Sequence, residues 1–177
     1  MIFLEHFFEQ SASRTPDAVA VDDDGATMSY GALEAYANRI AHYLLAAGVE
    51  PNDRVCILME KNAGAYAAVL RILKSGACWV PLGSGQPEER LRQLVEKIDP
   101  KTIITDASTI GEAITIRDAL GPKIPLLVLG SEDSNAGESI GSESNLATHL
   151  TKKPDVTSRS PDDLAYIIFT SGSTGMP

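Results

Sequence analysis

Six consecutive residues near the end of the chain, Thr170, Ser171, Gly172, Ser173, Thr174 and Gly175, have the make-up of an anion grip. The two glycines let the backbone come close to a phosphate and turn several N–H groups into one concavity, and the four hydroxyls add donors beside them. No side chain in the run repels a triphosphate. The chemistry this allows is holding rather than attacking. Leu164 to Phe169, an apolar run with β-branched and aromatic residues, leads into the loop and reads as a buried strand. An ordinary Ser/Gly-rich surface turn has the same composition, and the residues alone leave both readings open. A Walker loop is excluded, because it needs a lysine directly after a glycine and the chain has none.

Elsewhere the residue types that do chemistry are scattered. His6, His42 and His149 are far apart in sequence, and His42 sits off the apolar stripe of its helix, so none reads as a catalyst. Cys56 and Cys78 lie in apolar runs without C-x-x-C spacing and read as small core residues of a reducing compartment. Asp22, Asp23 and Asp24 precede Gly25 between two apolar runs, the mark of a solvated hairpin tip rather than a metal site. Gly83-Ser84-Gly85 lacks the third glycine of a dinucleotide fingerprint. We therefore expect no catalytic residue and no protein metal site in this chain.

The elements that must position the grip are legible from periodicity. Phe3, Leu4, Phe7 and Phe8 form the apolar stripe of a short helix over residues 2–10. Two short runs around Asp22–Gly25 form a hairpin. Ser29 is the predicted N-cap of a helix whose stripe is Leu33, Tyr36, Ala37, Ile40, Ala41, Leu44 and Leu45, closed by Gly48. Strands are predicted at 54–59, 77–82, 102–105 and 124–129. Helices alternate with them: one after Asn62 with Tyr66, Val69, Leu70 and Leu73, one after Pro87 with Leu91, Leu94, Val95 and Ile98, and a weaker one from Ile110 to Leu120. This alternation implies an α/β fold with parallel strands and right-handed crossovers. From Ser131 to Ser144 the composition is almost wholly polar, so 131–150 is read as a flexible polar insertion.

Fifteen basic residues against 24 acidic ones give a net charge of −9, which argues against nucleic acid or an anionic membrane as the main partner. The N-terminus has no basic segment or cleavage site, and the apolar runs are too short to span a bilayer, so a cytoplasmic location is expected.

Tyr166 to Pro177, read as Y-I-I-F-T-S-G-S-T-G-M-P, resembles the phosphate-binding core motif of adenylate-forming enzymes, most closely that of nonribosomal peptide synthetase adenylation domains. Thr27-Met28-Ser29-Tyr30-Gly31-Ala32-Leu33 resembles the family's first core motif, L-T-Y-x-E-L. Leu73 to Leu82 resembles its second, L-K-A-G-x-A-Y-V-P-[IL]-D. Trp79 and Phe169 stand where tyrosine is usual, and Gly83 stands where the second motif closes on aspartate. The resemblance implies that residues 1–177 are the first part of the large N-terminal subdomain of such an enzyme, cut at the phosphate loop. It implies ATP and Mg2+ as cofactors, Thr170 nearest the magnesium, and a carboxylic acid substrate, most plainly an amino acid. Phosphopantetheine on a carrier domain would accept the acyl group, with carrier and condensation domains as partners. The family's acyl pocket, adenine site and catalytic lysine lie beyond the motif, so the chain alone is expected not to adenylate. The alternatives are an acyl-CoA or aryl-acid ligase, a carboxylic-acid reductase, or a non-catalytic interaction module.

Overall fold

The computed structural model describes residues 2–120, 124–130, 140–142, 146, 148–156 and 159–169. Its centre is a five-stranded parallel sheet. The strands are β3 (Arg54–Leu58), β4 (Cys78–Leu82), β5 (Thr102–Asp106), β6 (Leu126–Leu129) and β7 (Ile140–Gly141), in the order β4-β3-β5-β6-β7. A separate antiparallel hairpin joins β1 (Val19–Asp23) and β2 (Ala26–Ser29). Its tip turns through Asp24 and Gly25, both at positive φ, the backbone that an Asp-Gly turn supplies.

Helices cover both faces, as the continuous apolar strands require. On one face α2 (Tyr30–Ala46) and α3 (Ala63–Lys74) bury Ile40, Leu44, Ala68 and Ile72 against Val55, Ile57, Ile104 and Leu127. On the other, α4 (Glu88–Ile98) and α5 (Ile110–Leu120) bury Leu91, Val95, Ala113 and Ile116 against Cys56, Val80, Ile103 and Leu126. The α/β reading is thus the observed architecture, with element boundaries within about two residues of the periodicity for most of the chain. Ser29 caps α2 by accepting from the Ala32 N–H at 3.2 Å, and Asn62 caps α3 by accepting from the Ala65 N–H at 3.0 Å. Cys56 and Cys78 are buried and unpaired with each other, and burial pushes the Cys56 thiol up.

Three expectations differ from the structure. The first helix, α1 (Leu4–Arg14), buries only part of its apolar stripe: Phe3 and Phe8 are half-buried, Leu4 and Phe7 are exposed, and Glu5 is fully buried. Charge, not oil, orients it. Glu5 pairs with Arg159, and Glu9 accepts from Lys74 at 2.7 Å and from Lys153 at 2.8 Å. Lys74 also reaches Glu34 at 2.8 Å, and Arg71 stacks on the Tyr36 ring at 3.7 Å.

The second difference is at Leu164–Phe169, which is not buried on both faces. It lies at the outer edge of β4, touching it through one bridge, Trp79 to Tyr166. Ile167 and Phe169 pack on the α4/α5 side, but Leu164, Tyr166 and Ile168 are 51%, 53% and 56% exposed. An apolar run cannot say whether both of its faces will be covered.

Third, part of the polar 131–150 span is ordered. Ile140–Gly141 form β7 beside β6, and Leu146 is buried in the α2/α3 core. The remainder of the Ser131–Ser144 stretch, residues 131–139 and 143–144, lies outside the described residues. A methyl group at Gly141 would overlap the Tyr43 hydroxyl, and Tyr43 is held by an edge contact with His149 at 5.7 Å. Gly141→Ala is therefore expected to cost about 1–3 kcal/mol. A lower urea midpoint at unchanged m would register it.

The ion pairs of α1 make the fold acid-sensitive. Burial raises the Glu9 pKa, but the hydrogen bonds and charges of Lys153 and Lys74 outweigh it and hold the net value below 4.5. A depressed folded pKa gives stability that is complete above the unfolded value and drains as pH falls through the folded one. Unfolding free energy should hold between about pH 7 and pH 5 and fall below that. Glu9→Gln should flatten the fall, as denaturant midpoints across a pH series would read.

Candidate functional site

Because all sheet strands run parallel, their carboxyl ends meet at one edge, where α/β sheets bind ligands. The strand entering the grip joins that edge. The Trp79 N–H donates to the Ala165 carbonyl and the Ile167 N–H to the Trp79 carbonyl, both at 3.1 Å, and the Trp79 and Tyr166 rings lie 5.4 Å apart. Three residues further, β4 ends at Leu82 and the described chain at Phe169. Thr170, Ser171, Gly172, Ser173, Thr174 and Gly175 themselves lie outside the described residues. The structure thus brings the approach to the grip, Tyr166 to Phe169, to the carboxyl side of the sheet beside β4.

In this doubly wound order, helices leave β3 and β5 on opposite faces, which opens a crevice between their carboxyl ends. Here the crevice is closed by the chain's own groups. The Asn62 amide donates across it to Asp106 at 3.0 Å, and the Thr109 hydroxyl donates to the Leu58 carbonyl at 2.6 Å. Asp106 also accepts from the Ser108 N–H and hydroxyl and from Thr109. Burial raises its pKa, and these bonds together bring the net value below the usual aspartate range. Sequence reasoning missed this cluster. Its only local signal was Asp106 two and three residues before Ser108 and Thr109, the pattern of an Asx turn.

Beside β4 lies a cleft of about 1060 Å3, walled by Phe8, Tyr30, Met59, Tyr66, Trp79 and Pro81, with Glu60, Lys61 and Ser84 among its polar groups. Gly83 forms part of the wall. The Gln86 amide donates to the Gly83 carbonyl at 3.1 Å and fills the space that a side chain at 83 would enter. Ser84 donates to Glu60 at 2.5 Å. An aspartate at 83 would have to displace the Gln86 side chain.

The other candidates take structural places. His42 bonds the Lys152 carbonyl at 2.8 Å, His149 meets Tyr43 edge-on, and His6 accepts from the Phe3 N–H at 3.1 Å. Asp22 accepts from Gly25, while Asp23 caps the start of α3 by accepting from the Ala63 N–H at 3.1 Å, a role its sequence position did not announce. Among the described residues no group of three or more His, Cys, Asp or Glu could hold a metal ion, and no helix is long and apolar enough to cross a membrane.

Comparison with known proteins gives a consistent picture. A family model described as AMP-binding enzyme matches residues 8–177. Malpinin synthetase of Mortierella alpina is 33% identical over 179 residues, covering 99% of this chain and 2% of its own length. The AMB antimetabolite synthetase AmbB of Pseudomonas aeruginosa is 36% identical over 98% of this chain and 12% of its own. The solved nonribosomal peptide synthetase FmoA3, in a form described as bound to alpha-methyl-L-serine-AMP, superposes with a TM-score of 0.74 at 30% identity, over 97% of this chain and 17% of that one. Another form of it is described as AMPPNP-bound. The chain thus spans a small part of each relative.

Proposed function

This chain belongs to the AMP-binding enzyme family, and from that membership we propose that it supplies the phosphate-gripping part of an enzyme that activates a carboxylic acid with ATP. The acid's carboxylate oxygen attacks the α-phosphorus, the bond to the β-phosphate oxygen breaks, and an acyl-adenylate and pyrophosphate result. Thr170, Ser171, Gly172, Ser173, Thr174 and Gly175 hold the β- and γ-phosphates, the leaving group, through their hydroxyls and backbone N–H groups. Magnesium would arrive with the nucleotide as part of the substrate, and Thr170 would offer it a hydroxyl. The acid is an amino acid, in keeping with the peptide synthetases among the relatives. The acyl group then passes to phosphopantetheine on a carrier domain, beside a condensation domain, in the cytoplasm.

One observation carries this reading. The segment that precedes these residues is laid parallel on β4 and runs to Phe169 at the carboxyl edge of the sheet. The test is ATP–pyrophosphate exchange against a pool of amino acids and aryl acids, run on this chain and on the gene extended to the length of its relatives' adenylation regions. Exchange by the extended protein with one acid, silence from the 177-residue chain, and loss on Thr170→Ala together support it. A folded, extended protein that exchanges with no acid would sink it.

A second reading rests on the exposed Leu164, Tyr166 and Ile168. An apolar strand edge in water invites pairing with another chain. Self-association on a sizing column that vanishes in the extended protein counts against a built docking surface.

A further inference from the structure

The segment from Thr151 to Asp163 has no strand or helix among its described residues, yet it is fastened at almost every step. The Asn38 amide donates to the Thr151 carbonyl at 2.8 Å, Lys153 and Arg159 pair with Glu9 and Glu5, and Arg159 stacks on Phe3 at 3.9 Å. The strap then passes over the turn between α3 and β4, where Val156 and Arg159 lie against Gly76. Its last fastening is Asn52. This exposed residue sits before β3 at φ +69, a left-handed backbone that costs a side-chain-bearing residue energy. Asparagine is among the few residues with a side chain that tolerate such a turn, and what it adds over glycine is the amide. Both ends of its amide are in use. Nδ2 donates to Asp163 at 2.7 Å, and Oδ1 accepts from the Leu164 N–H at 2.9 Å. Its own backbone N–H donates to the Gly76 carbonyl at 3.1 Å.

We propose that Asn52 is a positioning residue that fixes where the final strand joins β4, and through it where the phosphate grip emerges. The last clause rests on the function proposed above; the first does not. Asn52 bonds residues 163 and 164, immediately before the Ala165–Trp79 and Ile167–Trp79 bonds that set the register. Among the described residues one bridge pairs this strand with the sheet, backed by the packing of Ile167 and Phe169, so losing two fastenings at its start should loosen it. Asp163 is itself held in place, because its carboxylate accepts from the Ser160 N–H at 2.7 Å as well as from Asn52. The two fastenings together hold its pKa below the usual range, the Ser160 bond contributing most.

The test is Asn52→Gly in the full chain, read by hydrogen exchange and by the emission of Trp79, the single tryptophan, whose ring rests on Tyr166. Glycine keeps the left-handed turn and removes only the amide. Losing two hydrogen bonds should speed exchange of peptides within 164–169 by about tenfold, with β3 and β5 peptides unchanged within about twofold and Trp79 emission shifted to the red. Asp99→Gly is the control. It makes the same backbone change at another exposed left-handed position, φ +49, whose side chain reaches Arg54 rather than the strap, and it should leave 164–169 alone. Unchanged exchange in 164–169, or equal acceleration across β3, β5 and 164–169, overturns the proposal. Exchange is measured without nucleotide, so an extended protein that failed to bind Mg-ATP would count against the phosphate grip and leave this result to stand on its own.

Discussion

Replacing Lys74 by methionine is expected to lower the unfolding free energy by about 3–5 kcal/mol, a large part of what a domain of this size possesses. The Lys74 side chain is wholly buried, and its ammonium is the common partner of Glu9 at 2.7 Å and Glu34 at 2.8 Å. Removing it leaves two carboxylates, 18% and 22% exposed, facing each other with one cation fewer. The cost comes from stranded charge rather than lost attraction. A triple variant with Glu9 and Glu34 also made leucine should recover most of it, since Lys153 is half exposed and tolerates water. Urea denaturation of the single and triple variants decides the matter. Equal losses would mean that packing, not charge, is what Lys74 supplies.

Ile104→Ala is expected to cost about 2–5 kcal/mol. Ile104 is fully buried in β5, between β3 and β6, and packs into the core that α2 and α3 close. Neighbours on two strands and two helices cannot all collapse into the space it leaves. Ile168→Ala, the same chemistry on the exposed side of the final strand, should change stability by less than about 0.5 kcal/mol. Similar midpoints for the two variants would contradict the burial described above.

What the sequence made legible follows from how far each signal reaches. The stripe of α2 and its Ser29 cap are local, and both stand where the periodicity puts them. The alternation of strands and helices is also local, and it suffices to specify a parallel sheet. The facing of α1 was not legible, because Arg159 and Lys153, which turn Glu5 and Glu9 inward, lie 154 and 144 residues away. Leu164–Phe169 read as buried because an apolar run records what could be covered, not what is. β7 was missed since two residues, one of them glycine, carry no periodicity. The string from Tyr166 to Pro177 carried the resemblance to the family whose model matches residues 8–177. The Asp106–Asn62 bond did not show, because only the adjacency of β3 and β5 brings a strand end and a helix cap together.

The charged clip on α1 also sets an order of events in time. Glu5 and Arg159 are 154 positions apart, and Glu9 and Lys153 are 144 apart. At about 5–20 residues per second, a ribosome takes on the order of ten seconds between making the two partners. For that interval the first helix is left with two carboxylates that have no cation from the strap, and loop-closure entropy delays docking further. In kinetic terms the clip is a late lock: Glu5→Gln should quicken unfolding and leave refolding nearly untouched in a chevron. Among the described helices, α1 waits longest for part of its charge partners.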